Sequence, residues 1–220
     1  MATFGLVHGA WHGGWAWDPL RAELEARGHR VVAPDLPCED PEAGAAEYAA
    51  VVRAALGGDE DAIVVGHSLG GLTIPLVPAR TLVYLCAYLP EPGRALADRS
   101  DDAWAPDFAA STRRDELGRS YWPDLAAAAH DLQYPPEASA LAAKLRPQAR
   151  KPSIEPSPLT AHPDVATAFV VCTDDYAVPP GFQRRMAREE LGVEPIELRS
   201  GHSPMLTHVR ELADALESLV

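Results

Sequence analysis

The sequence predicts an α/β fold in which a mostly parallel β-sheet is flanked by helices. Two observations support this prediction: short apolar runs typical of buried strands, and intervening segments whose apolar residues recur at helical spacing. Strands that alternate with helices imply right-handed crossovers and therefore parallel pairing. The chain has 220 residues, 47% hydrophobic and 23% charged, and is long enough to bury roughly 70% of its unfolded surface in one core.

Across residues 1–90 the predicted strands and helices follow one another in regular order. The first helix carries Trp17, Leu20 and Leu24 on one apolar face, and Gly28 ends it. The other predicted elements are strands at 3–7, 29–33, 62–65 and 81–89, and helices at 45–56 and after residue 70. Helices therefore separate successive strands, as a parallel sheet requires.

The same alternation returns near the C-terminus. Strands are predicted at 168–172 and 193–198, with a helix at 180–191 between them. Ser203 is a suitable N-cap, and Pro204 a suitable first residue, for a final helix. Its apolar face is formed by Leu206, Val209, Leu212, Leu216 and Leu219.

Residues 91–159 interrupt this alternation. The segment is rich in Asp, Arg, Ala and Pro, and helical stretches are predicted only at 125–132 and 138–145. We therefore expect a core formed by residues 1–90 and 160–220, with 91–159 inserted as a helical cap. An extended return path is predicted by Pro147, Pro152, Pro156, Pro158 and Pro163. The aromatic residues of the segment are Trp104, Phe108, Tyr121, Trp122 and Tyr134.

The segment Gly66-His67-Ser68-Leu69-Gly70 directly follows a predicted strand and opens a helix-compatible stretch. A serine between two glycines at a strand-to-helix turn is the pattern of a nucleophile elbow. The turn is so tight that flanking side chains would clash, which explains the glycines. Ser68 is therefore the candidate nucleophile, with its hydroxyl exposed above the sheet.

A candidate base lies near the C-terminus. His202 is on the loop that follows the strand at 193–198, at the edge of the sheet where open α/β proteins place their chemistry. This placement, and the chain order of nucleophile, acid and base, favour His202 over His162 and His208.

A candidate acid lies between the nucleophile and the base in the chain. Asp174 and Asp175 follow the strand at 168–172, at the same edge of the sheet as Ser68 and His202. A carboxylate there would fix the imidazole tautomer and stabilise the imidazolium. The pattern alone does not choose between the two aspartates, and Glu91 is a weaker third candidate.

The first strand runs into a glycine-rich loop at residues 8–14, which brings a backbone N–H close to the serine. We expect the N–H groups of Ala10 and Leu69 to form an oxyanion hole, because preorganised donors stabilise the developing charge. His8 and His12 adjoin this loop, and we interpret both as structural hydrogen-bonding residues.

Four segments together resemble the α/β-hydrolase superfamily: residues 8–14, 66–71, 171–179 and 201–203. They are most similar to the group that contains plant methylesterases, salicylate-binding esterases, hydroxynitrile lyases and bacterial relatives. The similarity covers roughly residues 2–90 and 160–220. In that group the catalytic carboxylate stands before an x-x-x-Pro step, and the resemblance therefore points to Asp175.

The resemblance also separates the two chemistries of that group. Its hydroxynitrile lyases typically carry a threonine after the first histidine of the oxyanion loop and a lysine after the catalytic histidine. Those positions are Gly9 and Ser203 here, which resembles the esterase pattern and disfavours a lyase.

We therefore expect a serine hydrolase that cleaves a small carboxylic ester through an acyl-enzyme, without metal or cofactor. Trp11 is expected to contact the substrate, and Tyr121 and Trp122 are candidate pocket residues of the cap. The main alternative is a small-ligand receptor with slow or absent turnover on the same fold. A thioesterase would use the same residues.

The composition of the chain limits the classes of partner that it could bind. The formal net charge is −13, with 32 acidic and 19 basic residues, which argues against nucleic acid or an anionic membrane. No apolar stretch approaches the ~20 residues that a membrane span needs. The oligomeric state stays open, with a homodimer as one option.

The cysteines and the N-terminus favour a cytoplasmic protein. Cys86 and Cys172 fall inside apolar strands, and with Cys38 they make an odd number, so reduced thiols are expected. The N-terminus lacks a basic-then-apolar signal sequence.

Overall fold

The computed structural model describes residues 1–103, 105 and 107–220, without the side chain of Asp101. Trp104, one aromatic residue of the predicted cap, lies outside the described residues. In chain order the strands are β1 (Thr3–Val7), β2 (Arg30–Val32), β3 (Ile63–His67), β4 (Thr81–Leu85), β5 (Arg113–Arg114), β6 (Ser120–Tyr121), β7 (Ala166–Cys172) and β8 (Ile196–Leu198).

Six of these strands form one sheet in the order β2-β1-β3-β4-β7-β8, and every neighbouring pair is parallel. The predicted α/β class with a mostly parallel sheet is thus confirmed. β5 and β6 form a separate antiparallel pair. The α-helices are α1 (Asp18–Ala26), α2 (Ala45–Leu56), α3 (Leu125–Asp131), α4 (Lys151–Ile154), α5 (Pro180–Arg185), α6 (Pro204–Thr207) and α7 (Val209–Glu217).

The sheet separates two apolar clusters because successive residues of a strand point to opposite faces. In β3, Ile63 and Val65 belong to the cluster that also contains residues of α1, α6 and α7. Val64 belongs to the cluster on the other face, together with residues of α2 and α5. Helices therefore cover both faces of the sheet.

Two elements near the predicted nucleophile are shorter than their sequence patterns indicate. The stretch after the elbow forms two 3₁₀ turns, Ser68–Leu72 and Ile74–Leu76, and Pro75, which has no N–H to donate, lies in the second. The predicted strand 81–89 ends at Leu85, because Cys86 has a left-handed backbone with a φ of +37°.

Other boundaries also differ from the predictions. The helix predicted at 180–191 is α5 followed by a π-helical turn, Met186–Glu190. The predicted final helix is broken at His208, whose φ of −131° separates α6 from α7. The stretch predicted as a helix at 138–145 is a 3₁₀ helix, Pro136–Lys144.

The segment between β4 and β7 contains β5, β6, α3 and α4 and has an apolar cluster of its own. Trp122, Leu132 and Tyr134 are buried in this cluster. Trp11 of the glycine-rich loop and Leu206 of α6 pack against it. The segment therefore lies against the carboxyl edge of the sheet. No helix in the described part of the chain combines the length and the apolar character that crossing a bilayer would need.

Candidate active site

Ser68 lies on the tight turn that its flanking glycines predict. β3 ends at His67, and Ser68 has a φ of +51°, a left-handed conformation that is strained for serine. A Cβ on Gly70 would lie 2.7 Å from the carbonyl oxygen of Val7, and one on Gly66 would lie 2.9 Å from that of Gly70. The glycines are therefore needed for close backbone approach.

Asp175 and His202 form a buried pair at the carboxyl edge of the sheet. Oδ2 of Asp175 accepts a hydrogen bond from Nδ1 of His202 at 2.9 Å, and both side chains are almost completely buried. Because an ionised carboxylate only accepts, His202 carries a proton on Nδ1 in this contact. Nε2 is thereby left free to accept a proton from another group.

The Asp175 carboxylate is held by three further hydrogen bonds. Its Oδ1 accepts from the backbone N–H groups of Ala177 and Val178, at 2.7 and 3.1 Å. Its Oδ2 also accepts from Nε2 of Gln183 at 3.0 Å. A buried carboxylate needs hydrogen-bond donors, and these three set the position of the Asp175 side chain.

The other candidate acids do not bond to His202 in the described structure. Asp174 is exposed, and its carboxylate lies 3.7 Å from Arg199. Glu91 pairs with Arg94 at 2.7 Å. Of the carboxylates that the sequence left open, the structure therefore joins Asp175 to the imidazole.

His67 connects the Ser68 turn to the loop of His202. Its Nε2 donates to the backbone oxygen of His202 at 2.8 Å, and the two imidazole rings lie 4.7 Å apart between centroids. No hydrogen bond joins Ser68 Oγ to His202 Nε2 in the described part of the chain.

The glycine-rich loop presents the Ala10 amide beside the serine. No acceptor for this N–H occurs among the described hydrogen bonds. Leu69 is the second residue of a 3₁₀ turn, where N–H groups lack an intrahelical acceptor. Both residues line the same cavity as Ser68. Trp11 also has a left-handed backbone, with a φ of +63°.

His8 and His12 hold this loop through both ring nitrogens. His8 donates from Nδ1 to the oxygen of Gly9 at 2.9 Å, and its Nε2 accepts from the N–H of Leu36 at 3.0 Å. The oxygen of Gly9 belongs to the same peptide group as the Ala10 N–H. His12 makes the equivalent contacts with the oxygen of Ala10 and the hydroxyl of Tyr134, both at 2.7 Å.

Burial keeps these histidines neutral. Desolvation lowers the pKa of His8 to about 4 and that of His12 to about 3. It also lowers the pKa of His67 well below its ordinary value. At neutral pH each ring therefore has one donor and one acceptor nitrogen, as the contacts of His8 and His12 require.

A cavity of about 310 Å³ opens at Ser68. Trp11 lines it, whereas Tyr121 and Trp122 are not among its described lining residues. Trp122 is buried behind Trp11, with ring centroids 5.4 Å apart. Phe108, which sequence reasoning placed only among the cap aromatics, lines the cavity instead.

Gln133 is a site residue that sequence reasoning missed. It follows α3, and its Oε1 accepts from the backbone N–H of His202 at 2.8 Å and from that of Tyr176 at 3.3 Å. Its Nε2 donates to the oxygen of Asp174 at 2.9 Å. One side chain thus joins the loop of Asp174 and Asp175 to the loop of His202. A single glutamine in a loop carries no sequence signal for this role.

His67, Cys86 and His202 are the described residues that come nearest to a metal-binding group, with donor atoms within 4.8 Å of one another. One ring nitrogen of each histidine already forms a hydrogen bond. Nε2 of His67 bonds to a carbonyl, Nδ1 of His202 bonds to Asp175, and burial raises the pKa of the Cys86 thiol so that it stays protonated. The geometry serves to position the imidazole of His202.

A family model described as the Alpha/beta hydrolase family matches residues 6–215 of this chain. Among proteins of known name, the chain is 32% identical to a probable esterase, PIR7A, of Oryza sativa subsp. indica, covering 97% of this chain and 94% of the relative. It is 26% identical to methylesterase 3 of Arabidopsis thaliana, covering 96% of this chain and 93% of the relative.

Solved structures show the same similarity. A pyrethroid hydrolase from Sphingobium faniae JZ-2 superposes with a TM-score of 0.83 at 26% identity, covering 99% of this chain and 96% of the other. A polyneuridine aldehyde esterase superposes with a TM-score of 0.83 at 22% identity, covering 100% of this chain and 99% of the other. Because its identity is only 22%, the second match supports the fold alone.

Proposed function

The chain is an enzyme of the alpha/beta hydrolase family, and we propose that it cleaves a small carboxylic ester through Ser68, His202 and Asp175. The observation that carries the proposal is the buried hydrogen bond of 2.9 Å between His202 and Asp175, next to a serine on a strained turn. The esterases and hydrolases among its relatives support the same reaction class.

In the proposed reaction His202 Nε2 removes the hydroxyl proton of Ser68 as Oγ attacks the ester carbonyl carbon. The negative charge that develops on the carbonyl oxygen is stabilised by the N–H groups of Ala10 and Leu69. The alcohol leaves with the proton held by His202, and an acyl-enzyme remains. Water activated by His202 then attacks the acyl carbon and releases the carboxylic acid.

The hydrogen bond from His8 to the oxygen of Gly9 contributes to this oxyanion site. Leu36 N–H, His8 and the Gly9–Ala10 peptide group form a chain of donors that ends at the proposed oxyanion donor. Hydrogen bonds in such a chain polarise one another, so the Ala10 N–H becomes a better donor.

We propose that residues 91–159 form the cap over a core of residues 1–90 and 160–220. The cavity supports this division, because its wall combines Ser68 and Leu69 of the core with Phe108 and Ile154 of the inserted segment. A volume of about 310 Å³ is at the small end of ligand cavities. A small ester is therefore the substrate that the site fits best.

Two positions separate this site from a hydroxynitrile lyase. A Cβ on Gly9 would lie 2.8 Å from Cβ of Ser68, so a threonine there would displace the loop or the nucleophile. Ser203, at the position of the lyase lysine, is buried and donates from Oγ to the oxygen of Leu132 at 2.6 Å. Neither residue supplies a charge for a departing cyanide.

Covalent labelling tests the proposed nucleophile. A fluorophosphonate should modify Ser68, identified by mass spectrometry of the peptide, and abolish hydrolysis of p-nitrophenyl acetate. Ser68→Ala should prevent labelling and lower kcat by more than about 10³-fold. Ser139→Ala, a change at an exposed serine, is the matched control and should label normally. Folded protein that binds a small acid tightly but is neither labelled nor active would favour the receptor alternative.

We also propose a reducing, cytoplasmic location. Support comes from Cys38, Cys86 and Cys172, which are all buried and free of disulfides.

A further inference from the structure

The cavity at Ser68 differs in charge from the rest of the chain. Arg114 and Arg150 line it, and neither an aspartate nor a glutamate is among its described lining residues. The whole chain carries 32 acidic and 19 basic residues. From this composition one would expect more carboxylates than cations in the lining, whereas the cavity has two arginines and no carboxylate among its described lining residues.

Neither arginine has a carboxylate partner among the described residues. Arg114 donates from Nη1 to the backbone oxygen of Gly118 at 2.9 Å, which leaves its other donors available. The Arg150 side chain forms no hydrogen bond with any residue that the structure describes. Unlike these two, Arg119 and Arg146 of the same segment pair with Asp115 and Glu39 at 2.7 and 3.0 Å.

A backbone bridge holds the two arginines in one wall of the cavity. Arg114 lies on β5, which pairs with β6, and Arg150 directly precedes α4. Ser120 of β6 exchanges two backbone hydrogen bonds with Gln148, at 2.9 and 2.8 Å. Gln148 is buried and is anchored to the Tyr48 hydroxyl by a bond of 3.1 Å from its Nε2. The positions of both guanidinium-bearing residues are thus set by the fold.

The rest of the lining combines backbone donors, apolar surface and uncharged polar side chains. Ala10, Leu69, Trp11 and Phe108 offer backbone donors and apolar surface at the nucleophile. The polar lining residues besides the arginines are Ser68 and Tyr88 of the core and Thr112, Ser120, Gln148 and Ser153 of the segment that carries the arginines. A ligand that contacts both the nucleophile and the arginines would carry an ester group and an anionic group.

On the basis of the proposed esterase function, we propose that Arg114 and Arg150 form an anion subsite and that the substrate is an ester carrying a second, ionised group. A half-ester of a dicarboxylic acid is the simplest such substrate. Guanidinium groups bind carboxylates through paired, charge-assisted hydrogen bonds, which would hold the free carboxylate while Ser68 attacks the ester carbonyl. A phosphate or sulfonate would be recognised by the same chemistry.

The test compares monomethyl with dimethyl esters of linear dicarboxylic acids from succinate to sebacate. At the chain length that spans the cavity, kcat/KM for the half-ester should exceed that for the diester by about 10-fold or more. Added NaCl should reduce this preference, because the arginines are exposed and their charges are screened.

Substitution then assigns the subsite. Arg114→Gln and Arg150→Gln should each lower the ratio of half-ester to diester kcat/KM by about 5- to 10-fold. Arg210→Gln is the matched control, because Arg210 is exposed on α7 and outside the cavity lining. That variant should leave the ratio unchanged.

A second measurement needs no variant. Free dicarboxylates should inhibit the unmodified enzyme more strongly than monocarboxylates of equal length. Equal hydrolysis of half-esters and diesters at every length, or a preference that survives both arginine substitutions, overturns the anion subsite while leaving the esterase proposal intact. Absence of any hydrolysis that depends on Ser68 overturns the esterase proposal itself.

Discussion

His67 donates a hydrogen bond of 2.8 Å from its Nε2 to the backbone oxygen of His202, across 135 positions of the chain. His67 directly precedes Ser68, so this bond ties the nucleophile turn to the loop of the proposed base. Burial keeps the ring neutral by lowering its pKa. In the described structure its Nδ1 has no partner. The single bond to His202 is therefore the polar contact through which this buried side chain acts.

The first prediction concerns His67 as a positioning residue. His67→Leu leaves the His202 oxygen without its principal donor, and should lower the free energy of unfolding by about 1–3 kcal/mol. It should also lower kcat more than it raises KM, because the base is misplaced while the cavity is retained. His67→Gln keeps an N–H donor and should recover most of kcat. Urea unfolding and steady-state kinetics measure both effects, and identical kcat values for the two variants would contradict the role.

The second prediction separates two adjacent aspartates. Asp175→Asn removes the carboxylate that orients and stabilises the His202 imidazole, and should lower kcat by about 10⁴-fold. Asp174→Asn is the matched control, because Asp174 is exposed and contacts His202 through none of its described bonds. It should change kcat less than about twofold, as surface changes away from such contacts usually do. Comparable losses in both variants would remove Asp175 from the proposed triad.

The third prediction concerns the space beside the nucleophile. In Gly9→Ala the new Cβ would lie 2.8 Å from Cβ of Ser68 and 3.1 Å from the oxygen of His67. The loop must then shift, which moves the Ala10 N–H away from the oxyanion, and kcat should fall by about 10²-fold.

Gly181→Ala is the matched control for that change. Gly181 lies in α5, and no heavy atom of the described residues, apart from its chain neighbours and the backbone of its own helix, lies within 4 Å of the added Cβ. This variant should keep full activity and be as stable as the original protein or more stable by up to about 1 kcal/mol. Full activity of Gly9→Ala would show that the oxyanion loop tolerates displacement.

The fourth prediction is a loss of stability on mild acidification. His8 and His12 have an ordinary pKa of 6.5, lowered by burial to about 4 and about 3. Below pH 6.5 these two histidines become protonated in the unfolded chain but stay neutral in the folded chain. Their contribution to stability is therefore complete above that pH and declines as the pH falls towards 4. Within this window each histidine should lower the free energy of unfolding by about 1.4 kcal/mol for every pH unit of acidification.

Urea unfolding at pH 7, 6 and 5 measures this slope. Acidification also reduces the self-repulsion of an acidic chain, which would raise stability, so the two effects have opposite signs. Added salt should not restore the lost stability, since its origin is burial. A stability that stays constant or rises between pH 7 and pH 5 would contradict the prediction.

Much of the architecture could be predicted because it depends on residues close together in the chain. The helix Ala45–Leu56 has the predicted bounds, since its apolar spacing and the following Gly57 act locally. The turn at Ser68 was predictable from Gly66 and Gly70 for the same reason. The strand predicted at 81–89 was too long because residues 86–89 are apolar and buried but do not belong to the strand. Residues 87–89 follow the left-handed Cys86 and are buried, and Tyr88 lines the cavity at Ser68.

The sequence by itself determined the alternation of strands and helices, the strained serine turn and the order of candidate nucleophile, acid and base. These features follow from local sterics and from apolar periodicity. The residue pattern alone left Asp174 and Asp175 open, and the family resemblance pointed to Asp175. The tertiary structure shows the bond between Asp175 and His202, and only the tertiary structure shows that Gln133 joins their loops. It also decided that Trp122 lies behind Trp11 instead of lining the cavity. Each of these depends on contacts between residues far apart in the chain, and a pattern read along one segment contains no information about them.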